Sequence, residues 1–359
     1  MKKPIAIIGG GNGGQAFAGW LSLKGFETKI FDVFQPTVDK LNELGGVTIR
    51  GNSDYTGFGK IQMASTDIGA VMEGCEIILV VLPSIYHKDM AKKMAPYLKD
   101  GQVVVLSPIA SLGPVEFQNT LNECGCTAKI VLMGCSTLLF ACRAVEIGRV
   151  EVAGQKASYA ASGYPCSHNE MLKELFKDII PQFNFTDDIL RVSLDNLNAM
   201  MHPTPTILYT GKIEHQDDFQ YYLDMTPSIG AVLDALDKER MALGEAYGLK
   251  LRTLTEEYHT VYPTCHGDNM YETITSCTDA YTGIKGQKTM RTRYLLEDIP
   301  YSLVALQAMG QIAGVPTPLI DGIIAIAYAM IPEMDEGRTV KNLGLEGVSK
   351  EDFIKMCRG

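Results

Sequence analysis

An apolar run from Ile5 to Ile8 opens directly onto Gly9, Gly11 and Gly14 in G-x-G-x-x-G spacing, and no other junction in the chain restricts its fold so strongly. The run has the composition of a buried parallel strand, and residues 15–24 read as a helix. A second apolar strand, Thr28 to Phe31, ends in Asp32. Gly9 permits the tight turn out of the strand, Gly11 lets a pyrophosphate approach the backbone, and Gly14 lets helix and strand pack closely. Phosphates then meet unpaired N–H groups at a helix N-terminus, where the dipole favours negative charge. Asp32 lies 21 residues after Gly11, where a carboxylate can accept the ribose hydroxyls of the adenosine half. Strand, turn, helix and acid together predict a dinucleotide site. Asp32 favours NAD(H), because a 2′-phosphate would meet a like charge, and NADP(H) stays open as the alternative.

The strand–helix alternation continues. Residues 77–82, 103–106 and 129–133 are continuous apolar runs, and residues 84–98 have helical spacing. Continuous hydrophobicity marks strands covered on both faces, hence a parallel sheet with helices on each side. Pro83 and Pro108 end two of these strands, where open α/β sheets bind their ligands. Residues 150–160 are expected to finish the sheet as an antiparallel edge. From about Leu190 long helical patterns dominate: 190–209, 230–247, 252–262, 302–313 and 319–331. The fold class is therefore α/β: a Rossmann doubly wound parallel sheet over residues 1–187, then an all-helical domain over residues 188–359.

Composition excludes several classes of partner. A net charge of −10 opposes nucleic acid and anionic membrane surfaces, which reward clustered Lys and Arg. No basic segment followed by an apolar one opens the chain, and the apolar run 319–331 is too short to span a bilayer and carries Asp321. Nine cysteines without paired spacing suggest free thiols in a reducing, cytoplasmic compartment. Cys124 and Cys126 form one C-x-C with no second pair, and Cys265, His266 and Asp268 read as a surface loop, so no metal is expected.

Two stretches of the second domain carry chemistry. In N-L-N-A-M-M-H-P-T-P, Asn198 and His202 stand four apart on one helical face, and Pro203 and Pro205 break the helix beside the histidine. In R-T-R-Y-L-L-E-D-I-P, Arg291, Arg293, Glu297 and Asp298 lie between apolar and aromatic residues. Each stretch alone also fits a satisfied or salt-bridged surface. An enzyme using nicotinamide on a carbonyl or imine needs more: a proton donor, a carboxylate to orient it, and an arginine fork for a substrate carboxylate. His202, Asp298 and Arg293 supply those parts. Of the other histidines, His87 follows the Pro83 turn, His168 and His215 read as surface, and His259 and His266 flank a Cys-containing loop.

Several motifs then carry a resemblance: G-x-G-N-G-G-x-A-F at Gly9 to Phe17, P-x-x-x-x-G-x-x-E-F at Pro108 to Phe117, and S-T-L-L-F-A-C-R at Ser136 to Arg143. N-A-M-M-H-P-T-P at Asn198 to Pro205, F-Q-Y-Y-L at Phe219 to Leu223, T-R-Y-L-L-E-D at Thr292 to Asp298 and P-T-P-L-I-D at Pro316 to Asp321 follow in order. Over nearly its whole length the chain resembles the opine dehydrogenases, the octopine/nopaline dehydrogenase family, and its bacterial members above all. The resemblance implies an N-terminal domain that binds NAD(P)H through Gly9, Gly11, Asn12, Gly13, Gly14 and Asp32, with Pro83 and Pro108 beside it. It implies a catalytic pair at His202 and Asp298, a carboxylate-binding Arg293, and substrate contacts at Asn198, Ser136 and Thr137. The implied reaction condenses an L-amino acid with a 2-oxo acid such as pyruvate and reduces the imine. Partners are then small molecules, and an exposed helical face could pair two copies as a homodimer.

The chain departs from the family pattern at I-A-S-L-G-P after Pro108, where relatives are richer in glycine, and at Ser302, where glycine is common. Two other readings share the plan. A ketopantoate-reductase-like or 2-hydroxy acid enzyme would need a lysine such as Lys212 or Lys238, and a non-catalytic NAD sensor would need no proton donor.

Overall fold

Ile5–Ile8, Ile77–Val80 and Val103–Leu106 carry no alternating polar position and are buried along their whole length, as strands covered on both faces must be. The computed structural model describes residues 4–185 and 187–359. Among them the chain divides into two units. The first runs to Ile109, resumes over Gly113–Val192 and takes back Lys355–Gly359, and the second comprises Ala110–Leu112 and Ser193–Ile354.

In chain order the strands of the first unit are β1 (Ile5–Ile8), β2 (Thr28–Phe31), β3 (Gly46–Gly51), β4 (Gly57–Lys60), β5 (Met63–Ser65) and β6 (Ile77–Val80). They continue with β7 (Val103–Leu106), β8 (Val131–Cys135), β9 (Phe140–Glu146), β10 (Arg149–Gln155), β11 (Tyr159–Tyr164) and β12 (Phe183–Phe185). The main sheet has the order β12-β11-β8-β7-β6-β1-β2-β5. From β5 to β8 every pair is parallel. The chain builds outward from β1 through β2 to β5, then restarts on the other side of β1 at β6. Ligands of such sheets bind at that reversal, beyond the carboxyl ends of the strands.

Of residues 150–160, only Tyr159 and Ala160, the start of β11, join this sheet. β10 belongs to a second sheet of order β4-β3-β10-β9, and the main sheet ends in β11, antiparallel to β8, and β12, parallel to β11. The reason lies in the helix Asn12–Leu23, which is buried from Gly13 to Leu21. A helix apolar all round needs cover on both sides, and the second sheet supplies the outer cover. Trp20 packs edge-on to Phe140 at 5.7 Å between centroids. A Cβ on Gly59 would overlap the Gly19 carbonyl oxygen, so two glycines set how closely sheet and helix approach.

In the second unit, Pro227–Ala246 is the longest helix, and Arg240 on it is wholly buried. Its guanidinium is satisfied by Asp237 at 2.7 Å and by the carbonyls of Leu194 and Arg252. The expected helix over 190–209 is broken into Ile189–Leu194, Asn198–Met201 and Pro203–Leu208. Pro203 and Pro205, which lack N–H donors, break its ladder at the second of these interruptions. The nine cysteines are not all free. Cys265 and Cys277 form a disulfide, because the turns flanking the helix Met270–Ser276 bring their Cα atoms within 4.7 Å. Cys265 is thereby removed from any ligand set with His266 and Asp268.

The segment Ala110–Leu112 explains the missing glycines. Ala110 and Leu112 adopt φ of 53° and 55°, the left-handed region that glycine fits best. They are held there by neighbours in the second unit: Ser111 Oγ donates to the Ser193 carbonyl at 3.0 Å, and Leu112 N donates to Ser193 Oγ at 2.8 Å. The buried Arg338 donates to the Ser111 carbonyl at 2.6 Å. Each strained residue costs about 1 kcal/mol. Ala110→Gly loses only one methyl and is expected to raise Tm by about 1–3 °C in a calorimetric scan. Leu112→Gly, which also empties a fully buried side-chain site, is expected to lower it.

Candidate functional site

In the first unit the glycine turn leaves β1 with Gly9 at φ 114°, where an added Cβ would sit 2.6 Å from the Val81 carbonyl oxygen. A Cβ on Gly14 would overlap the Gly9 carbonyl oxygen, while one on Gly11 would meet nothing within 4 Å. Gly13 faces Val81, with an added Cβ 3.0 Å from its Cγ1. Gly11 is the N-cap, and no side chain caps the first turn. Its amides are therefore left for an anion, and the open space at Gly11 gives a pyrophosphate room to reach them.

Asp32 follows β2 and accepts from Gly10 N at 2.7 Å through Oδ2 and from Phe34 N at 2.8 Å through Oδ1. Both bonds hold the carboxylate beside the turn, and each oxygen keeps a lone pair for a ribose hydroxyl. Asn12 is committed elsewhere: its Oδ1 accepts from Ala144 N at 2.9 Å and ties the helix start to β9. Pro83 follows β6 and Pro108 follows β7, on the same carboxyl edge of the sheet as the glycine turn. Ser136 and Thr137 follow β8 on that edge, and Ser136 N donates to the Ala160 carbonyl at 3.0 Å.

Gln15, which sequence reasoning missed, locks the turn. Its side chain donates to the Gly10 carbonyl at 2.7 Å and accepts from Gly148 N at 2.8 Å. The residue sits immediately after the glycines, a position that signals proximity but not this double role.

In the second unit a buried polar and aromatic cluster surrounds His202. The histidine ends the short helix Asn198–Met201, and its Nδ1 lies 2.8 Å from Asp298 Oδ2. Both residues are buried, at 4% and 5% exposure, so the pair is shielded from water. With a carboxylate at Nδ1, the hydrogen sits on that nitrogen and Nε2 is the atom free to exchange a proton. The broken helix is repaired by a tyrosine. Pro205 has no N–H for the Met201 carbonyl, and the buried Tyr221 hydroxyl lies 3.2 Å from that oxygen and 2.6 Å from the His202 carbonyl. Thr206 Oγ1 also donates to the His202 carbonyl, at 2.7 Å. Burial pushes the Tyr221 phenol well above its ordinary pKa, so it stays a donor.

Asp298 leads into a π-helical turn, Ile299–Leu303, in which the buried Ser302 accepts from Asn196 Nδ2 at 3.0 Å. The residue that departs from the family's glycine thus braces the turn behind the carboxylate. Tyr294 lies flat on the His202 imidazole, 3.8 Å between centroids and 4° from parallel. Arg293 opens the helix Arg293–Leu296 and is exposed, with no ion-pair partner among the described residues. Arg291, by contrast, is paired with Glu333. Asn198 is exposed although His202 is buried, even though His202 N donates to the Asn198 carbonyl at 3.0 Å in an intact helical turn.

Residues 186–331 match the family described as NAD/NADP octopine/nopaline dehydrogenase, alpha-helical domain, and residues 4–111 match the NAD-dependent glycerol-3-phosphate dehydrogenase N-terminus. The chain is 33% identical over 351 residues to an opine dehydrogenase of Arthrobacter sp. (strain 1C), covering 97% of each chain. Among solved structures it resembles octopine dehydrogenase bound to NADH and L-arginine, with a TM-score of 0.82, 21% identity and 98% of each chain covered. It also resembles NADP+-bound yersinopine dehydrogenase, with a TM-score of 0.71 at 12% identity over 98% of this chain and 97% of the other.

Proposed function

Since the chain belongs to the opine dehydrogenase family, whose members are NAD(P)-dependent oxidoreductases acting on CH–NH donors, we propose that His202 and Asp298 are its proton-transfer pair and Arg293 its carboxylate arm. The reaction is the reductive condensation of an L-amino acid with a 2-oxo acid such as pyruvate. The observation that carries the reading is the buried His202–Asp298 pair at 2.8 Å, whose second imidazole nitrogen is left without a protein partner among the described residues.

An amino acid is mostly ammonium near neutral pH, and only its free amine attacks a carbonyl. His202 Nε2 takes that proton, and Asp298 stabilises the imidazolium that results. The same nitrogen returns a proton to the carbinolamine hydroxyl, which leaves as water and gives the protonated imine. Arg293 holds a substrate carboxylate through its planar fork, which fixes the imine carbon in one orientation. NAD(H), held by the glycine turn and Asp32, supplies the hydride when bound. Ser136, Thr137 and Asn198 are proposed as further substrate contacts.

No helix among the described residues is long and apolar enough to cross a membrane. We place the reaction in the cytoplasm, where reduced nicotinamide and 2-oxo acids are produced. A second copy as partner would rest on Leu319, Ile326 and Met330, exposed on one side of the helix Pro318–Met330.

The test is loss of reduced-nicotinamide absorbance with pyruvate, with and without a panel of L-amino acids. Oxidation is expected to need both substrates and to favour NADH over NADPH. Oxidation with the oxo acid alone would sink the condensation reading in favour of a 2-hydroxy acid enzyme.

A further inference from the structure

We propose that Tyr294 is a positioning residue for His202, holding the imidazole in one plane. The proposal rests on the reading that His202 exchanges the substrate's proton.

One hydrogen bond at Nδ1 does not fix an imidazole, because the ring can still swing about the Nδ1–Oδ2 axis and carry Nε2 with it. A ring stacked parallel at 3.8 Å removes that freedom. Tyr294 and Asp298 stand four residues apart in T-R-Y-L-L-E-D, so one stretch of chain supplies both the face partner and the edge partner of the histidine.

Tyr294 is itself held. Tyr221 packs edge-on to it at 5.2 Å and 67°, and the hydroxyl of that same Tyr221 donates to the His202 carbonyl at 2.6 Å. Ring and backbone of His202 are thus both referenced to one fully buried side chain. Behind them, Tyr222 stacks on Tyr281 at 4.0 Å and 19°. Burial first, then the neighbouring Tyr294, Tyr281 and Tyr221, push the Tyr222 phenol well above its ordinary range, so this wall stays neutral. The titratable groups against the imidazole are Asp298 at its Nδ1 edge and Tyr294 on its face, with Tyr221 at its backbone carbonyl.

Three variants separate the ring from its hydroxyl and from its bulk. Tyr294→Phe keeps the stack, Tyr294→Leu keeps apolar volume only, and Tyr294→Met is a second unstacked variant should the leucine form fold poorly. NMR of isotope-labelled histidine follows the His202 ring directly, because a parallel aromatic face moves the protons of the ring stacked on it upfield. That upfield displacement is expected to be lost in the Leu and Met variants and kept in Phe. In steady-state assays the unstacked variants are expected to lose about tenfold in kcat with KM for both substrates and NADH affinity unchanged, and Phe is expected to restore kcat. Unmoved ring-proton shifts in the Leu and Met variants, or equal losses of kcat in Phe and Leu, would overturn the proposal. Because the ring-proton shifts need no turnover, they still decide the role of Tyr294 if the wild-type protein fails to use an amine, an outcome that would instead remove the condensation reading.

Discussion

Replacing His202 with alanine is expected to lower kcat about a thousandfold while the dissociation constant for NADH changes by less than about twofold. The first figure is the usual contribution of a positioned acid–base group, about 100- to 10,000-fold. It stands toward the middle of that range because the proposed mechanism gives the same nitrogen two proton transfers. The second figure follows from where the parts lie: the glycine turn and Asp32 belong to the first unit, and His202 to the second. Alanine also strands the buried Asp298 carboxylate, at a cost to stability of about 1–3 kcal/mol. His202→Asn, which keeps a donor for Asp298, separates that loss from lost catalysis, and thermal unfolding reads the difference. Asp298→Asn combined with His202→Ala is expected to be scarcely slower than His202→Ala alone, because the two act as one unit. Near wild-type turnover in either histidine variant would remove His202 from the mechanism.

Legibility in the sequence followed the range of the interactions. The glycine turn is legible because strand, turn, helix and acid are local and each has its own residue type. The main sheet is legible through its continuous apolar runs. β3 and β4 are not, because glycines interrupt them, and residues 150–160 read as a strand without disclosing which sheet they join. The answer depends on the helix Asn12–Leu23 needing cover on its outer side, a tertiary demand. The motifs bearing His202 and Asp298 mark both residues as unusual, though 96 residues separate them and only the fold sets them 2.8 Å apart. Tyr294 and Tyr221 sit inside recognisable motifs, yet they act through a ring face and a hydroxyl aimed at a backbone carbonyl, which no spacing rule encodes. The cysteine pair is hidden for a related reason: a spacing of 12 residues has no meaning until the intervening helix returns the chain.

Gly14→Ala is expected to lower the unfolding free energy by about 2–4 kcal/mol and to weaken NADH binding more than about a hundredfold. An added methyl at Gly14 would overlap the Gly9 carbonyl oxygen, so β1 and its helix would have to part. They have little room to do so. Gly9 N is bonded to the Phe31 carbonyl at 2.9 Å, Gly10 N to Asp32 at 2.7 Å, and the Gly10 carbonyl to Gln15 at 2.7 Å. A shift large enough to admit the methyl breaks that set and displaces the carboxylate meant for the ribose. Gly11→Ala is the matched control, because its methyl meets nothing within 4 Å and the fold has no reason to change. Chemical denaturation of Gly11→Ala is therefore expected to match wild type, while its NADH affinity falls because the methyl takes the space a pyrophosphate needs. If Gly11→Ala bound NADH as tightly as wild type, the glycine turn would serve the fold alone and the dinucleotide would have to lie elsewhere on the sheet edge.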